Sequence, residues 1–227
     1  MKNLKEKLLV KKEKTQAQRE RDERQLGRLQ TLMDVMFGVL IIRLFMVLPV
    51  PKEVLAGHKD PLIIFGEGQF LMFIIGIILV SIYWFQNNKT NGNLIATDGK
   101  HSFISILQML FLLLYFYSIG LDFATESDTL ALFMQSVTLA LAGFCCVGGW
   151  VYATKHAELV SEAVTAEETV EIRNSVLTEP LAAVITIPFA FIGVLAWNLA
   201  WLSVLVIGAF LKRRANKGAL IIENDEQ

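Results

Sequence analysis

Residues 28–49 read RLQTLMDVMFGVLIIRLFMVLP, and this stretch decides how the rest of the chain is interpreted. It is long enough to cross a bilayer as a helix, which needs about 20 residues. Its interior carries two opposite charges, Asp34 and Arg43. Ionisable groups inside a spanning helix are costly, and they usually face the protein interior or a water-filled path. The other segments must therefore supply partners or a path for these two side chains.

The composition is typical of a membrane protein. Of the 227 residues, 54% are hydrophobic, against about 45–50% in an ordinary soluble domain, and the mean hydropathy is +0.49. The apolar residues lie in long blocks that are separated by short polar loops. The formal net charge of −1 gives no reason to expect nucleic-acid binding. The charged N-terminus does not resemble a signal peptide, so the first span is expected to stay in the membrane.

Six segments have the length and composition of membrane spans, which predicts an all-α integral membrane protein. The last two divide an apolar run of nearly forty residues, too long for one helix that needs about 20. The predicted spans are about 29–50, 61–86, 102–121, 129–153, 174–191 and 194–211, and they form one bundle over 29–212. A charged cytosolic helix is predicted over 1–28 and a cytosolic polar tail over 213–227.

Lysine and arginine are distributed unevenly between the two sides of this bundle. Six spans place both termini on one side, together with the 2–3 and 4–5 loops, and 18 of the 21 Lys and Arg residues lie there. Outside the spans, the opposite side has Lys52 and Lys59. The positive-inside rule therefore predicts that both termini are cytosolic.

The N-terminal segment 1–28 contains ten Lys or Arg residues and five Asp or Glu residues. Two interpretations are open. It is either a solvated, partly disordered basic arm, as charge blocks often are, or a helical stalk that packs against its copies or touches anionic lipid.

No catalytic or metal-binding constellation is visible. Cys145 and Cys146 are adjacent inside an apolar block and read as small buried hydrophobes. His58, His101 and His156 are scattered, without a second ligand at metal spacing. Because the nucleophile, phosphate-binding and dinucleotide-binding motifs are also absent, the sequence predicts neither an enzyme nor a cofactor or metal site.

The two charges of the first span cannot pair with each other. Asp34 and Arg43 are nine residues apart, which at about 100° per residue places them on opposite faces of the helix. At the outer level, Glu67 is the one obvious acid in a span, so it is the candidate partner of Arg43. Both charges either lock helix packing or line a conduction path. Candidate partners of Asp34 at the cytosolic level are Arg28, Trp84, Asn87, Asn88, His101 and Gln108.

Three motifs together resemble the transmembrane protein 175 family of potassium channels. The family's first helix reads Arg, three residues, Phe-Ser-Asp-Gly, and here Arg28 and Asp34 match while Leu32, Met33 and Val35 differ. Its second helix ends in Trp, two residues, His-His. Its third helix carries Leu-Asn-Leu-Leu-Phe-Leu. The corresponding residues here are Trp84, Asn87 and Asn88 in the second helix and LQMLFL at 107–112 in the third.

The resemblance implies a subunit of six helices. Four such subunits would surround a pore that is lined by helix 1 of each, and the pore would conduct potassium or another cation passively. It places the pore positions near Val39, Arg43 and Met46. It also implies a network at the cytosolic end that holds helix 1 in place. That network would comprise Arg28, Asp34, Trp84, Asn87, Asn88 and Gln108.

Arg43 departs from this pattern, because four Arg side chains in a narrow pore would repel cations, and rings of Arg or Lys are used by anion pores. We therefore expect a homotetrameric, ion-channel-like protein of a bacterial plasma (inner) membrane whose partners are the lipid bilayer, its own copies and small inorganic ions. The alternatives are anion conduction, or a non-conducting membrane anchor that interacts through 1–28.

Overall fold

The computed structural model describes residues 15–46, 48, 68–124, 129–155 and 159–225. Within these ranges the chain is helical apart from short loops and one isolated antiparallel bridge between Leu94 and Val160, so the all-α prediction is confirmed. The helices are α1 (Gln16–Phe45), α2 (Gly68–Asn91), α3 (Gly99–Ala124), α4 (Thr129–Lys155), α5 (Ala166–Phe189), α6 (Val194–Ala200) and α7 (Ser203–Asp225).

Helix α1 begins well before the apolar stretch that the sequence marks as a span. Thr15 caps it, because its hydroxyl accepts a hydrogen bond from the backbone N–H of Gln18 and the Gln18 side chain accepts one from the N–H of Thr15. Such a capping box satisfies two amide groups that would otherwise have no partner. The charged segment from Gln16 to Arg28 and the apolar segment up to Phe45 are thus one continuous helix. Residues 1–14 of the predicted N-terminal helix lie outside the described residues.

Three helices of the described chain are long and apolar enough to cross a membrane. They cover Gly99–Leu121, Thr129–Lys155 and Val194–Arg214, and the last of these combines α6 with the first part of α7. Helices α1 and α5 are also long, but ionisable residues interrupt their apolar stretches, namely Asp34 and Arg43 in α1 and Glu179 in α5.

The bundle is built from neighbouring helix pairs. Helix α3 packs along α4, α4 along α5, and α5 along α7, while α1 packs against α2 and α3. Gly143 of α4 lies so close to Pro180 of α5 that a Cβ at this position would stand 2.7 Å from the proline ring. The main core draws buried side chains from five helices, among them Phe37, Leu40, Leu44, Tyr83, Leu112, Phe116, Leu139 and Ala183.

The chain turns between α5 and α6 at residues 190–193, inside the apolar run that the sequence analysis divides into two spans. Gly193 has φ 144°, a backbone conformation that glycine adopts without a steric penalty. Helix α6 then ends at Ala200, and a second turn at Trp201 and Leu202 leads into α7.

Two loops pair at one end of the bundle, which we call the paired-loop end (residues 92–98 and 159–165). The Ile95 N–H donates to the Leu159 carbonyl at 3.0 Å, and the Ser161 N–H donates to the Asn93 carbonyl at 2.9 Å. A second core lies beneath these bonds and joins the charged half of α1 to both loops. It contains Leu26, Leu94, Ala96, Ala153 and Leu159.

Candidate functional site

Asp34 of α1 contacts α2 through one aromatic side chain. The indole Nε1 of Trp84 donates a hydrogen bond of 3.3 Å to Asp34 Oδ1. Asp34 is exposed, and Trp84 keeps 38% of its surface exposed, so the pair lies at the surface of the helix bundle and not in its core. The bond fixes the rotation of α1 relative to α2 near the paired-loop end.

Asn87 and Asn88, the other polar residues predicted at the end of the second span, diverge. The buried Asn87 accepts a hydrogen bond of 2.9 Å from Asn91 Nδ2, whereas Asn88 is exposed. Asn91 is also the contact to α1, because its carbonyl accepts a bond from Gln30 Nε2 and its amide lies 3.3 Å from the Met33 sulfur. The sequence analysis did not single out Asn91, although it follows the Asn-Asn pair by one helical turn.

His101 and Gln108 are buried on α3, where they line a small cavity with room for about one water molecule. The backbone N–H of His101 donates a hydrogen bond of 2.8 Å to Asp98 Oδ1, and the ring Nδ1 of His101 is 2.9 Å from Thr97 Oγ1. Gln108 Nε2 is buried without a hydrogen-bond partner. The remaining polar lining comes from Asn87, Thr90, Asn91 and Ser105.

The three predicted pore positions on α1 have different surroundings. Val39 and Met46 are 42% and 71% exposed. The half-buried Arg43 lies against α3, with its Nη2 3.0 Å from the point that a Cβ on Gly120 would occupy. The absence of a side chain at Gly120 therefore makes the space for the guanidinium inside the subunit. Glu67, the predicted partner of Arg43, lies outside the described residues.

Helix α1 presents an apolar face to the outside of the subunit. We call it the α1 stripe, and its exposed members recur at spacings of three and four residues: Leu32, Val35, Val39, Ile42 and Met46. Gly38 lies beside them, and a Cβ there would meet nothing within 4 Å. Arg28 lines a shallow open groove at the charged end of the stripe, together with Arg24, Gly27 and Thr31.

Glu179 is an ionisable residue that the sequence analysis missed. It lies in α5, within the fifth predicted span, and its Oε2 is buried without a hydrogen-bond partner. The side chain of Gln86 on α2 lies next to its carboxylate. The signal was present in the sequence, since a lone Glu in front of Pro180 interrupts an apolar run, and an intramembrane ionisable residue is a functional-site hypothesis by default.

A further polar contact joins α4, α5 and α6. Trp197 Nε1 donates to Ser136 Oγ at 2.8 Å, and the Ser136 and Thr186 hydroxyls are also 2.8 Å apart. All three side chains are buried. This chain of hydrogen bonds holds the turn after α5 against the start of α4.

Comparisons with known proteins identify no relative of this chain. No family model, curated protein or solved structure matches the chain. Among the described residues, no group of three or more His, Cys, Asp or Glu side chains is placed to hold a metal ion.

Proposed function

We propose that this protein is an ion-channel-like membrane subunit that assembles with its copies around a pore lined by the α1 stripe and conducts small inorganic ions passively. The observation that carries the proposal is the exposed face of α1. Apolar side chains at three- and four-residue spacing line this face, and the exposed Asp34 lies at its flank, beside Trp84 of α2. A tetramer is the assembly that the family resemblance implies.

An apolar stripe alone would suit contact with lipid. Asp34 argues against that reading, because a carboxylate facing hydrocarbon is costly and such groups face a protein interior or water. Trp84 gives it one hydrogen bond and leaves it exposed in the single subunit. Copies of the chain around a common axis would surround this face with protein and water, and the apolar members of the stripe, above all Val39, would form the constriction.

The position of Arg43 favours cation conduction over the anion alternative. Its guanidinium lies beside Gly120 of the same subunit, and Arg43 is half-buried whereas Val39 and Met46 are exposed. A charge held between α1 and α3 repels a cation in the pore less than a ring of four Arg side chains at the axis would, since Coulomb repulsion falls with distance.

The proposal includes the membrane arrangement predicted from the sequence. Six spans would place both termini and the paired-loop end in the cytosol of a bacterium with the protein in its plasma membrane, in keeping with the positive-inside rule. The charged part of α1 would then extend from the pore into the cytosol.

Thiol block of flux tests the pore assignment. In a background with both native cysteines replaced by Ala, Val39→Cys is reconstituted into liposomes, and potassium flux is measured before and after a bulky, water-soluble thiol reagent. Leu195→Cys is the control, because Leu195 is 74% exposed on α6, far along the chain from the stripe. We expect the reagent to remove most of the flux of Val39→Cys and to leave that of Leu195→Cys unchanged.

Two other results would overturn the proposal in different ways. Absence of potassium, sodium and chloride flux from intact oligomers would favour the non-conducting anchor. Chloride flux that disappears in Arg43→Leu would establish the anion-conducting alternative, in which Arg43 faces the pore.

A further inference from the structure

Glu179 occupies an unusual position for a carboxylate. It lies inside α5, opposite the loop-proximal part of α2, and its Oε2 has essentially no contact with solvent. On the α2 side, the side chain of Gln86 lies next to the carboxylate. Oε2 has no hydrogen-bond partner among the described residues. A buried polar atom without a partner is costly, so this one calls for an explanation.

The groups that face Glu179 do not neutralise it. Helix α2 contributes Gln86 and the hydroxyl of Tyr83, and α4 contributes the thiol of Cys146. Helix α7 also packs against α5, where a Cβ on Gly208 would stand 3.5 Å from the Thr178 side chain, and residues 203–211 of α7 contain no charged residue. The described chain thus buries one oxygen of this half-buried carboxyl group without a Lys or Arg beside it.

The nearest cations are engaged elsewhere or exposed. Lys89 of α2 forms a salt bridge of 3.2 Å with Glu171, which lies two turns before Glu179 on α5. Arg173 is exposed. A carboxylate that is shielded from water and has no counter-charge is far less stable than its neutral form. Binding of a proton is the simplest way to remove this charge.

A second buried group at the same place also lacks a partner. Tyr83 is 1% exposed, and its hydroxyl forms no hydrogen bond in the described structure although it lies within electrostatic range of Glu179. A hydroxyl and a carboxyl oxygen that face the same small region can be joined directly or by one buried water, and buried waters typically make two to four such bonds.

We propose that Glu179 is an intramembrane proton-binding site. The carboxylate takes up one proton at Oε2 and becomes a neutral carboxylic acid, whose O–H is donated to the Tyr83 hydroxyl oxygen directly or through one water. Release reverses the step and restores the carboxylate.

Buried polar side chains connect this site to the paired-loop end. His101, Ser105 and Gln108 lie on one face of α3 at spacings of four and three residues, and all three are buried. Gln108 lies next to Cys146, which in turn faces Glu179. Together with the small cavity that they line, these groups provide polar contacts along which water can deliver a proton. The inference does not rest on the proposed ion conduction, since proton binding needs no pore.

Infrared difference spectroscopy on the protein in lipid nanodiscs tests the inference. The carbonyl-stretching band of a protonated carboxyl group is followed while the pH is varied at fixed ionic strength. We expect one titrating band in the wild type that is absent from Glu179→Gln. Glu171→Gln is the matched control, because Glu171 lies on the same helix but is exposed, and this variant should keep the band.

Tyr83→Phe separates a proton site from a general defect of folding. It removes only the hydroxyl, so the band should remain and shift in frequency as its hydrogen bond is lost. A band that persists in Glu179→Gln, or one that is insensitive to Tyr83→Phe, would contradict the proposal. Loss of the wild-type band on addition of sodium or potassium at constant pH would instead identify a metal-cation site and overturn it as well.

Discussion

Trp84 donates its indole N–H to Asp34 at 3.3 Å, while Tyr83, the preceding residue on α2, is buried on a different face of the helix, within electrostatic range of Glu179. Two consecutive aromatic residues of α2 therefore lie close to two different carboxyl groups, one exposed and one with a buried oxygen. Helix α2 is thus the element through which the orientation of α1 and the state of Glu179 would influence each other.

The Asp34–Trp84 bond should contribute measurably to stability. Asp34→Asn and Trp84→Phe are each expected to lower the free energy of unfolding by about 1 kcal/mol, typical of a partly exposed hydrogen bond to a charged group. Combined in one chain, they should show a coupling of about 0.5–1 kcal/mol. Unfolding in mixed detergent micelles measures all three variants. Asn88→Ala is the control, since Asn88 is exposed on the same helix. If the losses of the two single variants simply add in the double variant, the bond does not contribute to stability.

The close approach of α4 and α5 requires a glycine at 143. A Cβ there would stand 2.7–2.9 Å from three atoms of the Pro180 ring, which cannot rotate away. We expect Gly143→Ala to destabilise the protein by about 1–3 kcal/mol, the usual cost of overpacking. Gly148→Ala is the matched control, because a Cβ at that position of α4 would meet nothing within 4 Å. Its thermal midpoint should be unchanged or higher, since alanine favours helix; equal midpoints for both variants would refute the steric argument.

The hydroxyl of Thr186 should matter more than a hydroxyl that bonds within its own helix. Thr186→Val removes the partner of Ser136 on α4 at nearly constant volume. Interhelical hydrogen bonds in membranes average about 0.6 kcal/mol and reach about 1.7, so a loss in this range is expected. Thr178→Val removes a hydroxyl that bonds to the Asn174 carbonyl of the same helix, and its unfolding free energy should change less. The reverse order would show that the α4–α5 bond is not stabilising.

Asp98 should stabilise the paired-loop end through two separate bonds. Its Oδ1 accepts a hydrogen bond of 2.8 Å from the backbone N–H of His101, and its Oδ2 accepts one of 2.5 Å from the Tyr152 hydroxyl. Asp98→Ala removes the cap of α3, which typically stabilises by about 1 kcal/mol, and the bond to α4 as well. Asp98→Asn keeps the cap, since Asn is an equally good capping residue. We expect stability in detergent to fall from wild type to Asp98→Asn to Asp98→Ala, with Tyr152→Phe close to Asp98→Asn; equal losses for Asp98→Asn and Asp98→Ala would argue against capping.

The sequence predicted Trp84 as one of six candidate partners of Asp34 because helical spacing fixes the level of each residue along the bundle. It could not choose among the six, since that choice depends on which faces of α1 and α2 meet. The same limit applies to Arg43. Its pore-lining role and its pairing with Glu67 stay predictions, and the contact with Gly120 could not be foreseen because a glycine carries no side-chain signal.

Glu179 was missed for a different reason. One carboxyl group in a long apolar run barely alters its average hydropathy, so the segment reads as simple packing. Its importance comes from Gln86 and Tyr83, which are more than ninety residues earlier in the chain. The pairing of the loops at Leu94 and Val160 is non-local in the same way.

By itself, the sequence determined the helical class, the presence of helices of membrane-spanning composition and the two charges in the first apolar stretch, because these follow from local composition and spacing. Tertiary structure alone decided which face of α1 is left exposed, that Arg43 lies beside Gly120, and that one carboxylate oxygen of Glu179 is buried without a hydrogen-bond partner. Each of these depends on contacts between helices distant in the chain, and such contacts are set by packing of the whole bundle.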